Sequence, residues 1–342
     1  MTSSPKSTSE DSADRLPSFV DVTAAAKRLQ GLAVRTPLLE SPALNERVGG
    51  RVLLKAETLQ RTGSFKFRGA YNRISQIPEA ARAAGVVAFS SGNHAQGVAA
   101  AAALLGLPAT IIMPKDAPAM KLANTRAYGA EVMPYERNSD YRETLAAEIA
   151  EKRGATIVPP YDDADVMAGQ GTCGLEIAEQ AAALGVQLDA LLVCCGGGGL
   201  TAGCALAMAE RSPSTDVYTV EPKGFDDTRR SLAGGERVSN ADGGQSFCDA
   251  LLSPTPGRLT FAINQSHATG GLAVSDAEVA EAMAFAYRTL KLVVEPGGAV
   301  ALAAVLAKHL DARGKTVAVV LSGGNVDPQA YAEILAGQAS AT

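Results

Sequence analysis

The sequence predicts an α/β protein built from mainly parallel sheets flanked by helices. Three observations carry that prediction. Short β-rich runs alternate with alanine-rich helical stretches through most of the 342 residues. Most of the β-rich runs are continuously apolar, as parallel strands covered by helices on both faces are. Glycine-rich or polar turns follow several of them, at the strand ends where such sheets bind ligands.

Taken in order, strands are expected near Val52–Leu54, Val86–Phe89, Ala109–Met113, Val132–Met133, Leu191–Val193, Val217–Val220 and Val317–Leu321, with helices between. The longest apolar stretch, Val98 to Met113, is broken by Gly106 and Pro108 and reads as helix, turn, strand. The first nineteen residues hold six serines and no apolar signal-like run, so residues 1–17 are expected to be a disordered tail. Residues 85–160 carry their own strand and helix units and end at the stiff Pro159-Pro160 pair, which suits a crossing between domains. A small domain is expected there, with a large domain from residues 18–84 and 161–342 and a cleft between the two.

Composition narrows the function. With 31 basic and 36 acidic residues the net charge is −5, so the positive field that nucleic acid or an acidic membrane would require is missing, and a small molecule is the expected partner. Five cysteines (Cys173, Cys194, Cys195, Cys204, Cys248) form no C-x-x-C pair, which argues against a zinc site or disulfide framework and fits a reducing cytoplasm.

Four motifs carry chemistry. The first is Ser64-Phe65-Lys66-Phe67-Arg68-Gly69, after a short strand and at the expected start of a helix. A lone lysine is ordinarily a solvated charge, but flanking phenylalanines suggest an apolar setting, and desolvation favours the neutral amine that forms Schiff bases. The second is Ser90-Ser91-Gly92-Asn93-His94, before an alanine-rich helix. Amides at a helix N-terminus beside hydroxyl and amide side chains make a donor-rich pocket for a carboxylate; the plain alternative is a capping turn.

The third is Gly196-Gly197-Gly198-Gly199, between a strand and the helical Leu200–Glu210. Four glycines let backbone N–H groups close on a phosphate. No Gly-Lys-[Ser/Thr] is present, so it is not a Walker A loop, although a dinucleotide fingerprint is loosely matched, with Glu221 where a ribose-binding acid would sit. After it, Glu221-Pro222-Lys223-Gly224-Phe225-Asp226-Asp227 places carboxylates within one short turn, fit for a hard divalent cation or for a solvated helix start. The fourth, Leu321-Ser322-Gly323-Gly324-Asn325, points a hydroxyl off a strand end into the expected cleft.

The four motifs, in this order and spacing, resemble the fold-type II pyridoxal-phosphate (PLP) family of threonine/serine dehydratases and the metal-binding serine racemases, from about Val22 to Ala336. The resemblance implies a two-domain, tryptophan synthase β-like fold in which Lys66 bonds the cofactor and Phe65 packs on its ring. It implies that Asn93 meets the cofactor's 3′-oxygen, that Gly196, Gly197, Gly198, Gly199 and Leu200 cradle its phosphate, that Ser322 faces the ring nitrogen and that Glu295 lies near the ring. Ser90, Ser91, Asn93 and His94 would surround the substrate carboxylate; Arg142 and Ser253 align with positions that in relatives meet a substrate side chain. Glu221, Asp227 and the carbonyl of Phe225 match the family's Mg²⁺ or Mn²⁺ site.

The activity implied is an ammonia-lyase that turns L-threonine, L-serine or a similar β-hydroxy amino acid into a 2-oxo acid and ammonia, in a homodimer. A neutral Ser322 at the ring favours expulsion of the β-hydroxyl over a long-lived carbanion. Ser91 keeps a serine racemase open, and Arg142 with Ser253 a 3-hydroxyaspartate dehydratase. Where many dehydratases read His-Pro-Phe-Asp-Asp this chain reads Pro159-Pro160-Tyr161-Asp162-Asp163, and racemases tend to carry asparagine in place of Tyr161, which favours the dehydratase. The chain closes soon after Asp327, so feedback inhibition through an added amino-acid-sensing domain is not expected.

Overall fold

A computed structural model describes residues 15–117, 119–136 and 142–337. The ten strands are β1 (Leu38–Glu40), β2 (Arg51–Ala56), β3 (Val86–Phe89), β4 (Ala109–Pro114), β5 (Glu131–Tyr135), β6 (Thr156–Ile157), β7 (Ala190–Cys194), β8 (Asp216–Pro222), β9 (Gly270–Val274) and β10 (Thr316–Leu321). They form two sheets. One has six strands in the order β1-β2-β10-β7-β8-β9; the other has four, in the order β5-β4-β3-β6. Every pairing is parallel except β1 with β2. That agrees with the continuously apolar runs, and β2, β7 and β10 are buried almost end to end.

All seven expected strands form. Three others escaped sequence reading for physical reasons. The antiparallel edge strand β1 has three residues and β6 has two, too short to show a period. The third, β9, opens on Gly270-Gly271, residues that ordinarily count against a strand. A Cβ on Gly271 would lie 2.7 Å from Arg229 and Thr219, so close packing selects glycine there.

The four-stranded sheet covers residues 86–157, inside the span expected for a small domain. Its apolar core is shared with an earlier segment: Phe67, Ala70 and Ile74 of the helix Lys66–Ser75 pack in one cluster with Val86, Ala95, Val98 and Ile111. The lysine motif is therefore wedged between the two sheets. Of the expected N-terminal tail, residues 1–14 lie outside the described residues, whereas residues 15–17 belong to the fold: Arg15 donates to Asp21 at 2.8 Å and Pro17 is buried.

Beneath the lysine motif lies a buried ionic cluster. Arg68, wholly buried, donates to both oxygens of Glu57 (2.8 and 2.8 Å) and both of Glu176 (2.7 and 2.9 Å). Lys55, also buried, donates to Glu176 at 2.6 Å. Mutual pairing offsets the desolvation that burial imposes on each charge, and the cluster ties β2 to the helices on either side of it.

Candidate active site

A cavity of about 560 Å³ opens between the two sheets, and residues from all four motifs line it. Lys66 is the first residue of its helix and reaches the cavity floor, where its Nζ donates to the Pro160 carbonyl at 2.7 Å and lies 5.1 Å from the Phe65 ring centroid. Burial pushes the ammonium down to about 8, opposed by the charge of Glu295. The lysine is thus no solvated surface charge: its ammonium lies in the cavity wall against a carbonyl.

The turn after β10 is the hub that fixes this lysine. The Phe65 N–H donates to the Ser322 carbonyl (3.1 Å), Ser64 bridges to Gly323, and the Glu295 N–H donates to the Gly323 carbonyl (3.0 Å). A Cβ on Gly323 would fall 2.0 Å from Glu295 Oε1, so only glycine lets strand end, lysine motif and Glu295 meet. Ser322 itself is buried and lines the cavity.

The serine turn follows β3 and leads into the helix Asn93–Leu105. Ser90 Oγ accepts from the Gly92 N–H at 3.1 Å, a local turn bond, while the helix itself starts after Gly92 with no side-chain cap. The Asn93 amide donates to Glu295 Oε1 (2.5 Å) and accepts from Asn325 (2.8 Å), with one N–H left for a ligand. His94 Nε2 pairs with the Val158 carbonyl at 2.8 Å, and burial followed by the Lys66 charge holds the ring down to about 3, so His94 is neutral.

The tetraglycine loop joins β7 to the helix Gly199–Arg211, one residue earlier than expected. Its Gly197 carbonyl accepts from Thr260 Oγ1 (2.6 Å) and its Gly198 carbonyl from Asn264 (3.3 Å). In a trans peptide the following N–H points the opposite way, so the Gly198 and Gly199 amides turn away from Thr260 and Asn264. A Cβ on Gly197 would lie 2.4 Å from the Tyr161 ring, and Gly198 has φ +91. The cradle thus requires glycine at both positions, as a backbone phosphate site does.

The residues fit a phosphorylated pyridoxal on grounds internal to this structure. A glycine loop that could serve a phosphate and an amine of lowered basicity share one cavity, along with buried polar atoms that have no hydrogen-bond partner among the described residues: His94 Nδ1, Gln170 Nε2 and Glu295 Oε2. Burial pushes Glu295 up to about 7, against the opposing charge of Lys121.

Arg142 and Ser253 also line the cavity, Arg142 with its guanidinium 5.8 Å from the Phe89 ring centroid. Sequence reading missed Lys121, Gln170, Arg237 and Asp249, all of which line it. Gln170 carried a weak signal, a polar residue between Gly169 and Gly171 in the buried half of its helix.

The metal candidates lie elsewhere. Buried Glu221 accepts from the backbone N–H groups of Thr228 (2.9 Å) and Arg229 (2.7 Å), the helix-start reading, and the same helix begins at Asp227. Asp227 Oδ1 accepts from Asn240 (2.6 Å), while its buried Oδ2 has no partner. Among the described residues no three His, Cys, Asp or Glu side chains converge as a metal site. Two carboxylates with one free oxygen suit a hard cation once carbonyls or water complete the shell. Among the described residues no helix is long and apolar enough to cross a membrane, and all five cysteines are unpaired and buried.

Comparison with known proteins agrees with this geometry. Residues 29–323 match the family described as pyridoxal-phosphate dependent enzyme. The chain is 47% identical to an L-threo-3-hydroxyaspartate ammonia-lyase of Pseudomonas sp, over 94% of this chain and 100% of the relative. It is 43% identical to a serine racemase of Schizosaccharomyces pombe, over 94% and 98% of the two chains. Among solved structures it superimposes on a T.th. threonine deaminase with a TM-score of 0.86 at 44% identity, covering 91% of this chain and 99% of the other.

Proposed function

We propose, from the premise that this chain belongs to the family of pyridoxal-phosphate dependent enzymes, that it is an ammonia-lyase of small β-hydroxy amino acids whose preferred substrate carries a second carboxylate. The observation that carries the reading is Lys66, a half-buried amine in a cavity that the tetraglycine loop and the Ser90–His94 turn also line.

When bound, the cofactor supplies an electron sink that acidifies the substrate's Cα–H. The chain's residues supply the rest. The Gly198 and Gly199 amides would hold the phosphate, and the Ser90–His94 turn would orient the substrate carboxylate with neutral donors. Lys66 Nζ, poised between its two protonation states near neutral pH, takes the Cα proton. Ser322 would offer the cofactor's ring a hydroxyl and no full negative charge, which would favour departure of the β-hydroxyl. The hydroxyl leaves with a proton as water, and the unsaturated amine that is released then takes up one water molecule to yield the 2-oxo acid and ammonia.

The preference for a dicarboxylate rests on Arg142 and Arg237. Both line the cavity, and among the described residues Arg142 makes a loose ionic contact with Glu143 at 3.9 Å. The test is kcat/KM for L-threo-3-hydroxyaspartate, L-threonine and L-serine in the parent and in Arg142→Met and Arg237→Met. Each substitution is expected to lower the value about tenfold or more for 3-hydroxyaspartate alone, the loss of a charge-assisted hydrogen bond. Equal effects on all three substrates, or a preference for threonine, would remove the dicarboxylate reading.

Ser91 lines the same cavity and supports a racemase side reaction, read as the appearance of the substrate's enantiomer. Glu221, Asp227 and the Phe225 carbonyl would hold Mg²⁺ or Mn²⁺, with the unpartnered Asp227 Oδ2 as a ligand.

A further inference from the structure

A second lysine reaches the cavity. Lys121 belongs to the helix Ala119–Ala127, which packs beside the four-stranded sheet, and it is 3% exposed although no motif marks it. Its stem runs directly under the serine turn: a Cβ on Gly92 would lie 2.8 Å from Lys121 Cδ. Its Nζ then leaves that side of the cleft. It donates to Asp249 Oδ2 at 2.6 Å and lies 4.0 Å from Glu295 Oε2.

Both acids come from the six-stranded side. Asp249 opens a short turn in the loop between β8 and β9, and Glu295 caps the helix Pro296–Leu306. The helix bearing Lys121 is in turn fixed to the helix that begins at Asn93, through Asn124 donating to Gln96 at 3.2 Å. On the other side, Glu295 accepts from Asn93 and is held through its own N–H by Gly323, next to Ser322. One ammonium thus joins the serine turn to the hub that fixes Lys66.

We propose that Lys121 is a positioning residue, clamping the Ser90–His94 turn onto Asp249 and Glu295 so that a substrate carboxylate held by the turn meets Lys66 at the working distance. The inference rests on the reading of that turn as the carboxylate site. Burial gives the ion pair its strength, because a desolvated ammonium that loses Asp249 has only Glu295 nearby. Lys121 itself need not touch the reacting atoms.

The test uses the cofactor-loaded enzyme with Lys121→Met, Lys121→Arg and Asp249→Asn. Two quantities are read: amide hydrogen exchange over residues 90–96, and KM against kcat. The clamp predicts faster exchange in Lys121→Met and Asp249→Asn, with KM raised about tenfold or more, the cofactor's visible absorbance retained, and partial rescue by Lys121→Arg. Unchanged exchange in Asp249→Asn, whose half-exposed side chain makes it the milder change should Lys121→Met not fold, overturns the clamp whatever the substrate proves to be. Faster exchange with unchanged KM overturns its role in carboxylate positioning, as does loss of kcat alone. If the parent turns over no hydroxy amino acid, the functional reading fails and the exchange measurement still decides the clamp.

Discussion

Lys66 Nζ lies 2.7 Å from the carbonyl oxygen of Pro160, the second proline of the segment that crosses from the four-stranded sheet back to the six-stranded one. The contact gives the amine an uncharged acceptor instead of a carboxylate partner. Desolvation therefore dominates, and the lysine is held near the protonation midpoint that a proton-transferring amine needs.

A pH profile follows. Lys66 is pushed down from 10.5 to about 8, so its neutral fraction rises as pH climbs through 8. In protein stripped of cofactor, the rate at which Lys66 captures pyridoxal phosphate should rise across that range and level off above it. The visible absorbance of the bound cofactor reports the rate, with Lys66→Ala as the blank. A midpoint near 10.5 would show that the lysine is solvated.

The phosphate cradle can be tested separately from the lysine. Gly197→Ala places a methyl 2.4 Å from the Tyr161 ring, so the loop must shift. An overpacking cost of ~1–3 kcal/mol should weaken cofactor affinity about tenfold or more. Equilibrium titration of the stripped variant measures it, and unchanged affinity would place the phosphate elsewhere.

Much of this was legible in the sequence because parallel strands buried on both faces announce themselves as apolar runs, and because backbone-mediated phosphate binding demands glycine. Gly196–Gly199 was legible that way, while Lys66, the serine turn and Ser322 stood out by their flanking residues and by the order of the four motifs, and all line one cavity. Lys121 and Asp249 were not legible, since each is a single charge outside any motif, and its role exists only once two distant elements meet. Arg68 shows the same limit: it stood in the lysine motif, yet nothing in the spacing revealed its bonds to Glu57 and Glu176.

That ionic cluster predicts a stability effect. Arg68→Met would leave the buried Glu57 carboxylate without its counter-ion, at a cost of ~3–5 kcal/mol. Denaturant unfolding of parent and variant measures the difference. A change within about 0.5 kcal/mol, the range of ordinary surface substitutions, would mean that the cluster is solvated.

The cation reading predicts thermal protection. Millimolar Mg²⁺ or Mn²⁺ should raise the Tm of the parent, since a ligand bound only to the folded state stabilises it. Asp227→Asn, which removes the charge behind the free Oδ2, should abolish the rise. Equal rises in both proteins would place the ion at another site.

The central claim is that Lys66 makes this chain a pyridoxal-phosphate dependent ammonia-lyase, and the most direct measurement follows ammonia and 2-oxo acid released from a β-hydroxy amino acid by the cofactor-loaded parent and by Lys66→Ala. Equimolar release of the two products is expected from the parent, with a loss of about a thousandfold or more in the variant, the scale of removing a nucleophile that is also the base. Release by Lys66→Ala at the parental rate, or none by the parent from L-threo-3-hydroxyaspartate, L-threonine or L-serine, would contradict it.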